Sequence, residues 1–568
     1  MPLARVACRA QVGLSAPLVH VEVSLSEGLP AFVIVGLPAT VVRESKERVR
    51  GAILNSGFEF PNGRITVNLA PADIPKEGGR FDLPIALGIL LASEQLRLPN
   101  DAASPTAAPS LTNSEFYGEL ALSGELKPTR GLLIAAAHAA QVDHDLVVPR
   151  VNIDEACSVT RARVRGAVHL LDVCSHVEGM TELAVVAPAR GTAASIYLDR
   201  AALMAKADAA CVDGGRNELE CGSAAARGGE DGARSPAQGD VGRSASHLPA
   251  DLSDIRGQQQ AKRALLIAAA GGHSLLMIGV PGSGKSTLAR RLPDLLPPLT
   301  EAEALEVASI ASVSAAGFDA RTFGRRPFRT PHHTASAAAV IGGGSRARPG
   351  EVSLAHHGVL FLDELPEFER RVLEALREPL ETGEVSVSRA ALQTQYPASF
   401  QLIAAMNPCP CGYLGDSRGK CHCSPDVIAL YRRRISGPLL DRLDLQIEVQ
   451  RVPTSELLET QHLPIPGVTP GTSIPARVGE VRDVQTRRQG VCNARIGIGE
   501  VMRFCAPRRA GQALLEQASE KLGLSARGYH RILKVARTIA DLAGEDRVGD
   551  THVAEAIGLR ILDRRPLG

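Results

Sequence analysis

Tryptophan is absent from this 568-residue chain, and aromatic residues of all kinds make up only 3% of it. Few side chains are therefore left for base-stacking platforms. There is no overall basic field either. Lys and Arg number 63 against 62 Asp and Glu, which leaves 63 − 62 = +1, so any surface for nucleic acid must be local. No stretch approaches the 18 or so uncharged apolar residues of a membrane span, and the start, MPLARVACRAQVGLSAPLVHVEV, lacks a continuous apolar segment of signal-peptide length. No membrane partner is expected, and the expected compartment is the cytoplasm. The 11 cysteines, odd in number and mostly scattered, do not make a secreted disulfide framework.

What is present is a long chain with an ordinary hydrophobic fraction of 44%, enough for about two to four domains. Residues 1–195 alternate strand-like runs (HVEVSL, AFVIVGL) with helical ones (RESKERVRGAILNSG, GLLIAAAHAAQV), which predicts a mixed α/β domain. From 206 to 250 the text turns to Gly, Ala, Ser and scattered charge without apolar periodicity, and reads as a flexible linker. A second domain spans 251–452. A third, 475–568, follows a Pro/Gly-rich connection and is helical, with Ile532, Val535, Ile539 and Leu542 at the spacing of a packed face.

The strongest signal is SLLMIGVPGSGKSTLARRL. An apolar strand, 275–278, runs into Gly279, Val280, Pro281, Gly282, Ser283, Gly284, Lys285, Ser286 and Thr287, and then a helix. The glycines let backbone N–H groups curl round the β- and γ-phosphates of ATP, Lys285 adds a point charge, and the Ser286 hydroxyl binds Mg²⁺. In HHGVLFLDELPEF a buried strand, 359–362, ends in Asp363, suited to the Mg²⁺ shell, and Glu364, suited to polarising the attacking water. A third apolar strand, FQLIAAM, ends in Asn407, whose amide can reach that water or the γ-phosphate. Two arginines complete the expected catalytic set. Arg442 in GPLLDRLDLQIEV precedes a strand, where a finger can reach a neighbouring subunit's γ-phosphate. Arg527 in LSARGYHRIL opens a helix of the third domain and can close over the same nucleotide. Arg432, Arg433, Arg434 and Arg531 are rivals, and a salt-bridged arginine is the ordinary alternative for each.

Four cysteines crowd into NPCPCGYLGDSRGKCHC. Cys409, Cys411, Cys421 and Cys423 supply enough thiolate for a closed tetrahedral Zn²⁺ site, with His422 as a possible substitute. The loop's Gly, Asp and Ser residues cannot form a core, so a metal would order it. A redox disulfide and unligated cysteines are the rival readings.

In this order, the phosphate loop, the DE strand, the strand-tip Asn, LLDRLD and SARGYHRIL resemble AAA+ ATPases of the magnesium-chelatase-like branch. The stretches DLSDIRGQ, AAAGGHSLLMIG, PFRTPHHTASAAAVIGGG, RPGEVSLAHHGVLFLDELPEF and RILKVARTIADL look like the ComM family of bacterial competence proteins. The resemblance implies an AAA+ core with a parallel sheet, a C-terminal helical lid, a homo-hexameric ring, and branch migration of DNA during homologous recombination, alongside recombination proteins. The N-terminal region resembles the Lon-protease-like (ribosomal S5 domain 2-like) fold. Arg80, in PKEGGRFD, stands where that fold carries its nucleophilic serine, and the stretch after Arg130 is apolar where the lysine would be. This implies the fold without the protease.

A ring around DNA needs positive charge in its pore. Arg325, Arg326, Arg329, Arg346 and Arg348 lie between 321 and 350, where no acidic residue occurs. Arg389 follows the strand-like EVSVS as a hairpin-tip residue. Sequence-independent phosphate contact is expected there, with a solvated basic face or inter-subunit salt bridges as the alternative. The rival functions are a chelatase-like motor and a protein-remodelling ring.

Overall fold

The computed structural model describes residues 3–98, 111–186, 252, 255–344, 347–389, 392–415, 419–452 and 473–564. The expected linker at 206–250, Arg346 and the Arg389 side chain lie outside the described residues.

The N-terminal domain is built on eight strands, β1 (Leu3–Arg9), β2 (Leu18–Ser26), β3 (Ala31–Val35), β4 (Arg64–Ala70), β5 (Ser114–Phe116), β8 (Asp145–Pro149), β9 (Arg163–Ala167) and β10 (Val185–Val186), with β6 (Glu119–Leu120) and β7 (Leu126–Lys127) forming a separate hairpin. The sheet order is β10-β9-β8-β5-β1-β2-β4-β3, with parallel and antiparallel pairs mixed. In β2 the buried Val19, Val21 and Val23 alternate with His20, Glu22 and Ser24, the period of a strand with one face on a core. The helix Asp82–Ala92, DLPIALGILLA, buries all but one of its residues, so it is the centre of this domain and not a surface helix. Just before it, Arg80 is buried. Its guanidinium donates to Gln11 Oε1 at 2.7 Å and to the Arg130 carbonyl at 2.6 Å. A saturated cation, not a nucleophile, occupies this position.

The second domain carries a five-stranded parallel sheet of β11 (Leu275–Ile278), β12 (Phe328–Arg329), β15 (Val359–Leu362), β18 (Gln401–Met406) and β19 (Leu445–Glu448), ordered β12-β15-β18-β11-β19. β11, β15 and β18 are buried at every residue. Their unbroken apolar runs are what a parallel sheet covered on both faces requires. Two hairpins project from this core, β13 (Gly342–Gly343) with β14 (Arg348–Pro349), and β16 (Glu384–Arg389) with β17 (Leu392–Pro397). The helix Glu301–Val313 packs on the helix Leu132–Gln141, and Leu299, Ala304, Ala308 and Phe323 join the hydrophobic core of the N-terminal domain. The first two domains therefore share apolar contacts.

The C-terminal helices Ile474–Gln489, Arg509–Leu522, Ala526–Ala543 and Asp550–Gly558 form the third domain. Ile532, Val535, Ile539 and Leu542 are all buried, and Ser525 caps their helix by accepting from the Gly528 N–H at 3.0 Å. The domain packs on the helix Gln259–Gly271 and on the N-terminal ends of β11 and β19, the opposite end of those strands from the phosphate loop. The reason is a buried polar seam. His273 meets Thr538 at 2.7 Å, Asp444 accepts from the Ser274 N–H at 3.1 Å and pairs with Arg531, and Arg560 donates to the Leu443 carbonyl at 2.9 Å.

Burial works against the Asp444 carboxylate, but Arg531 and His273 outweigh it and hold the group well below the usual carboxylate range. A depressed folded-state pKa contributes stability that is complete above the unfolded value of about 3.9 and is lost as pH falls below it. Asp444→Asn is expected to cost about 3–5 kcal/mol, because it leaves Arg531 facing a seam without its anion. Chemical denaturation at neutral pH checks this. The difference between wild type and variant should narrow below about pH 4.

Candidate active site

Parallel strands end on one edge of their sheet, so whatever follows β11, β15 and β18 is brought together by topology alone. β18 lies between β11 and β15, and this puts Asn407 between the phosphate loop and the acidic pair. Lys285 Nζ donates to the Gly279 carbonyl at 2.6 Å and the Val280 carbonyl at 3.1 Å, and lies 3.4 Å from Asn407 Oδ1. Ser286 Oγ donates to Asp363 Oδ2 at 2.7 Å. Glu364 follows with φ +53°, a backbone state that non-glycine residues rarely hold. Its carboxylate lies 3.2 Å from His333 Nδ1.

The residues fit a nucleotide. Gly282 and Gly284 take positive φ (76° and 87°) and turn the loop's amides inward ahead of the helix Lys285–Leu295. At Gly279 a side chain would run into the Val449 carbonyl, so only glycine lets the loop leave β11 there. The ammonium of Lys285 is buried against carbonyl and amide oxygens with no carboxylate in contact, and burial lowers its pKa despite Asp363 and Glu364. An anionic phosphate would supply the missing counter-charge. Ser286 and Asp363 together present oxygens suited to Mg²⁺.

Arg442 and Arg527 stand elsewhere. The Arg442 carbonyl accepts from Ser274 Oγ at 2.9 Å, at the start of β11, whereas Lys285 works at its end, roughly 13 Å of strand away. The buried Arg442 side chain pairs with Glu381 and donates to the Pro438 carbonyl at 2.7 Å. Arg527 is half-exposed and lies 3.8 Å from the same Glu381. The two arginines thus share one carboxylate at the end of the sheet remote from their own phosphate loop. Of the rivals, Arg531 is occupied by Asp444 and Arg434 by Glu367 at 2.7 Å.

The expected DNA-contacting arginines divide. Arg326 donates to the Pro297 and His357 carbonyls, both at 2.6 Å, and serves as an internal strut. Arg329 is likewise tied to Glu351 at 2.6 Å, which neutralises it. Arg325 is exposed. Arg348 lines a cavity of about 970 Å³ between the N-terminal domain and the hairpin strand β17. Arg389 ends β16, paired with Leu392 of β17.

The Cys409, Cys411, Cys421 and Cys423 sulfur atoms all lie within 4.8 Å of one another. A second group, Glu306, His356 and His357, is equally tight but does not suit a metal. His356 Nδ1 accepts from the Ser399 N–H at 3.0 Å, so in the neutral ring Nε2 carries the proton and donates to Glu306 at 3.0 Å. Sequence reasoning did not single out His333, Glu381 or Gln258, the last of which reaches over the loop to the Ser283 carbonyl. His333 lies 31 positions from its carboxylate and Glu381 lies 61 from Arg442, and no motif spans such gaps.

Residues 251–457 match the family described as "Magnesium chelatase, subunit ChlI", residues 21–152 match "Subunit ChlI of Mg-chelatase" and residues 469–560 match "Magnesium chelatase, subunit ChlI C-terminal". Competence protein ComM of Haemophilus influenzae is 45% identical over 99% of this chain and 98% of its own. The chain belongs to the YifB/ComM family. YifB of Escherichia coli is 42% identical over the same shares. The magnesium-chelatase 38 kDa subunit of Cereibacter sphaeroides is 30% identical over 28% of this chain and 53% of its own. Membership in YifB/ComM thus places the phosphate loop, the acidic strand and the strand-tip Asn within the magnesium-chelatase-like AAA+ ATPases. Among the described residues no helix is long and apolar enough to cross a membrane.

Proposed function

We propose that this chain is the subunit of a hexameric, ATP-driven motor that encircles DNA in the cytoplasm and moves branch points during recombination of incoming strands. The observation that carries this reading is the separation of Arg442 and Arg527 from their own phosphate loop. Arginines grouped at the remote end of the sheet complete a site only when a second subunit brings its loop to them, and head-to-tail contacts of that kind close into rings. Each ATP, with Mg²⁺ between Ser286 and Asp363, would then be hydrolysed at a subunit interface. Similarity to ComM, a competence protein by name, supports DNA as the substrate.

Arg325 and Arg389 are assigned to DNA phosphates, without reading sequence. Arg348 faces the inter-domain cavity and is assigned to the N-terminal domain's coupling to the hairpin. The four thiolates are assigned to one Zn²⁺. The N-terminal domain is read as a Lon-protease-like scaffold in which Arg80 replaces the nucleophile, and recombination proteins are the expected companions.

A synthetic four-way junction tests the motor. Wild type is expected to dissociate it into duplex arms in the presence of ATP, and Lys285→Ala is expected to leave it intact. Robust ATP hydrolysis that DNA neither stimulates nor couples to junction dissociation would overturn the DNA reading. A chelatase-like or protein-remodelling ring would then take its place.

A further inference from the structure

Building on the ATPase reading of Lys285, Asp363 and Asn407, we propose that the four-cysteine loop is a metal clamp on the ATPase site, holding Asn407 and the phosphate loop in register so that zinc occupancy sets the turnover rate.

The sulfur positions fit a closed site. Cys409 and Cys411 lie 3.3 Å apart, and Cys421 is 3.7 Å from each. Zinc bonds to sulfur of about 2.3 Å at tetrahedral angles place neighbouring sulfurs about 3.8 Å apart. The four thiols are therefore close to the geometry of a ligand set before any ion enters.

Little else holds the loop. Between Cys409 and Cys423 the only buried described residues are Cys409 and Gly412. No hydrophobic cluster includes any described residue from 410 to 423. Beyond contacts such as Lys420 over the Tyr413 ring, a segment with so little apolar burial gains little packing energy to offset its ordering entropy, and ligation would supply the rest.

The loop is placed against the chemistry. Cys409 comes two residues after Asn407 in the chain, and Asn407 Oδ1 is the group 3.4 Å from Lys285 Nζ. Gly412, at φ +84°, turns its backbone onto the phosphate loop: a Cβ there would lie 2.8 Å from Pro281 Cγ and 3.9 Å from Asn407 Cγ. The Gly412 N–H closes the turn on the Cys409 carbonyl at 3.0 Å. One four-residue turn thus joins a metal ligand, the strand-tip amide and the wall of the phosphate loop. The cysteines are positioning residues. They touch no reacting atom and act by fixing where Asn407 points.

The experiment uses the full-length protein. Zinc is quantified, removed with a chelator under reducing conditions, and restored as Zn²⁺ alone, with circular dichroism recorded at each stage. About one zinc per chain is expected, and its removal should lower kcat about 10–100-fold, the size of second-shell effects at metal sites. KM for ATP and helicity should hold, and Zn²⁺ should restore kcat. Cys411→Ser combined with Cys423→Ser should reproduce the loss, whereas Cys421→His, which keeps a fourth ligand, should retain both metal and turnover. Full turnover in a protein without bound metal, or an unchanged kcat after chelation, would overturn the clamp. So would a fall in kcat that tracks a loss of helicity, because the metal would then be holding the fold. Failure of junction dissociation with zinc-dependent hydrolysis intact would support the clamp and count against the DNA motor alone.

Discussion

Glu364→Gln is expected to lower ATP turnover by about 10²–10⁴-fold, the contribution of a positioned general base, while ATP still binds. The variant keeps the shape of the side chain and removes only its capacity to accept a proton. The side chains of Lys285, Ser286 and Asp363, which would hold the phosphates and Mg²⁺, reach the loop carbonyls, Asn407 and one another, and the one hydrogen bond from Glu364 comes from its backbone N–H, which the substitution keeps. The geometry explains why this residue and not its neighbour would take the water. Asp363 is turned to Ser286 and accepts from the Glu364 N–H at 2.9 Å. The positive φ of Glu364 swings its carboxylate away from Asp363 and toward His333. Single-turnover hydrolysis, measured beside equilibrium binding of a fluorescent ATP analogue, separates the two effects. Turnover close to wild type would remove Glu364 from the mechanism.

The second large effect concerns subunit interfaces. Arg527→Ala and Arg442→Lys are each expected to reduce hydrolysis about 10³-fold or more, as loss of a catalytic arginine supplied in trans does. Arg442 is replaced by Lys because the side chain is buried on Glu381 and the Pro438 carbonyl, and truncation there would leave a cavity with unpaired partners. The sharper result comes from mixing. Lys285→Ala subunits carry intact arginines but a dead loop, and Arg527→Ala subunits carry the reverse. Co-assembled in equal amounts, about one quarter of the head-to-tail interfaces would pair a working loop with a working arginine. The mixture should therefore regain a measurable fraction of activity that neither parent has. A mixture as inactive as its parents would mean that Arg527 does not act across an interface.

The electrostatics of the shared carboxylate bear on the same experiment. Burial lowers the Arg442 pKa, Glu381 opposes this, and Arg377, Arg527 and Arg531 repel the guanidinium. Arg377 and Arg531 have carboxylates of their own, Glu374 and Asp444, so Arg442 and Arg527 are left to share Glu381, and a neighbour's triphosphate would relieve their repulsion.

The local chemistry of the nucleotide site was legible in the sequence because it is written in short, contiguous runs. Gly279–Ser286, Asp363–Glu364 and Asn407 each end an apolar strand, and an apolar strand is recognisable from its own residues. The same holds for the buried face Ile532, Val535, Ile539 and Leu542, which helical periodicity imposes, and for the C-x-C pairs of the cysteine loop. Charge without context is harder to read. Arg326 and Arg329 belong to a stretch free of acids, yet their partners come from elsewhere: the Pro297 and His357 carbonyls in one case and Glu351 in the other. A guanidinium can be engaged by any carbonyl or carboxylate oxygen the fold brings near it, and a window of sequence does not contain that information.

By itself, then, the sequence determined which residues could cradle a triphosphate and which strands would be buried, because apolar period and glycine-rich turns act over a few residues. Only the tertiary structure decided what those groups face. It set β18 between β11 and β15, and so Asn407 beside Lys285. It laid the C-terminal helices against the far end of the strands through Asp444 and His273, leaving Arg442 and Arg527 out of reach of their own loop. It also pressed Gly412 onto Pro281. Each of these is a contact between residues tens to hundreds of positions apart. Such contacts form only when burial of the whole sheet repays the entropy of bringing them together.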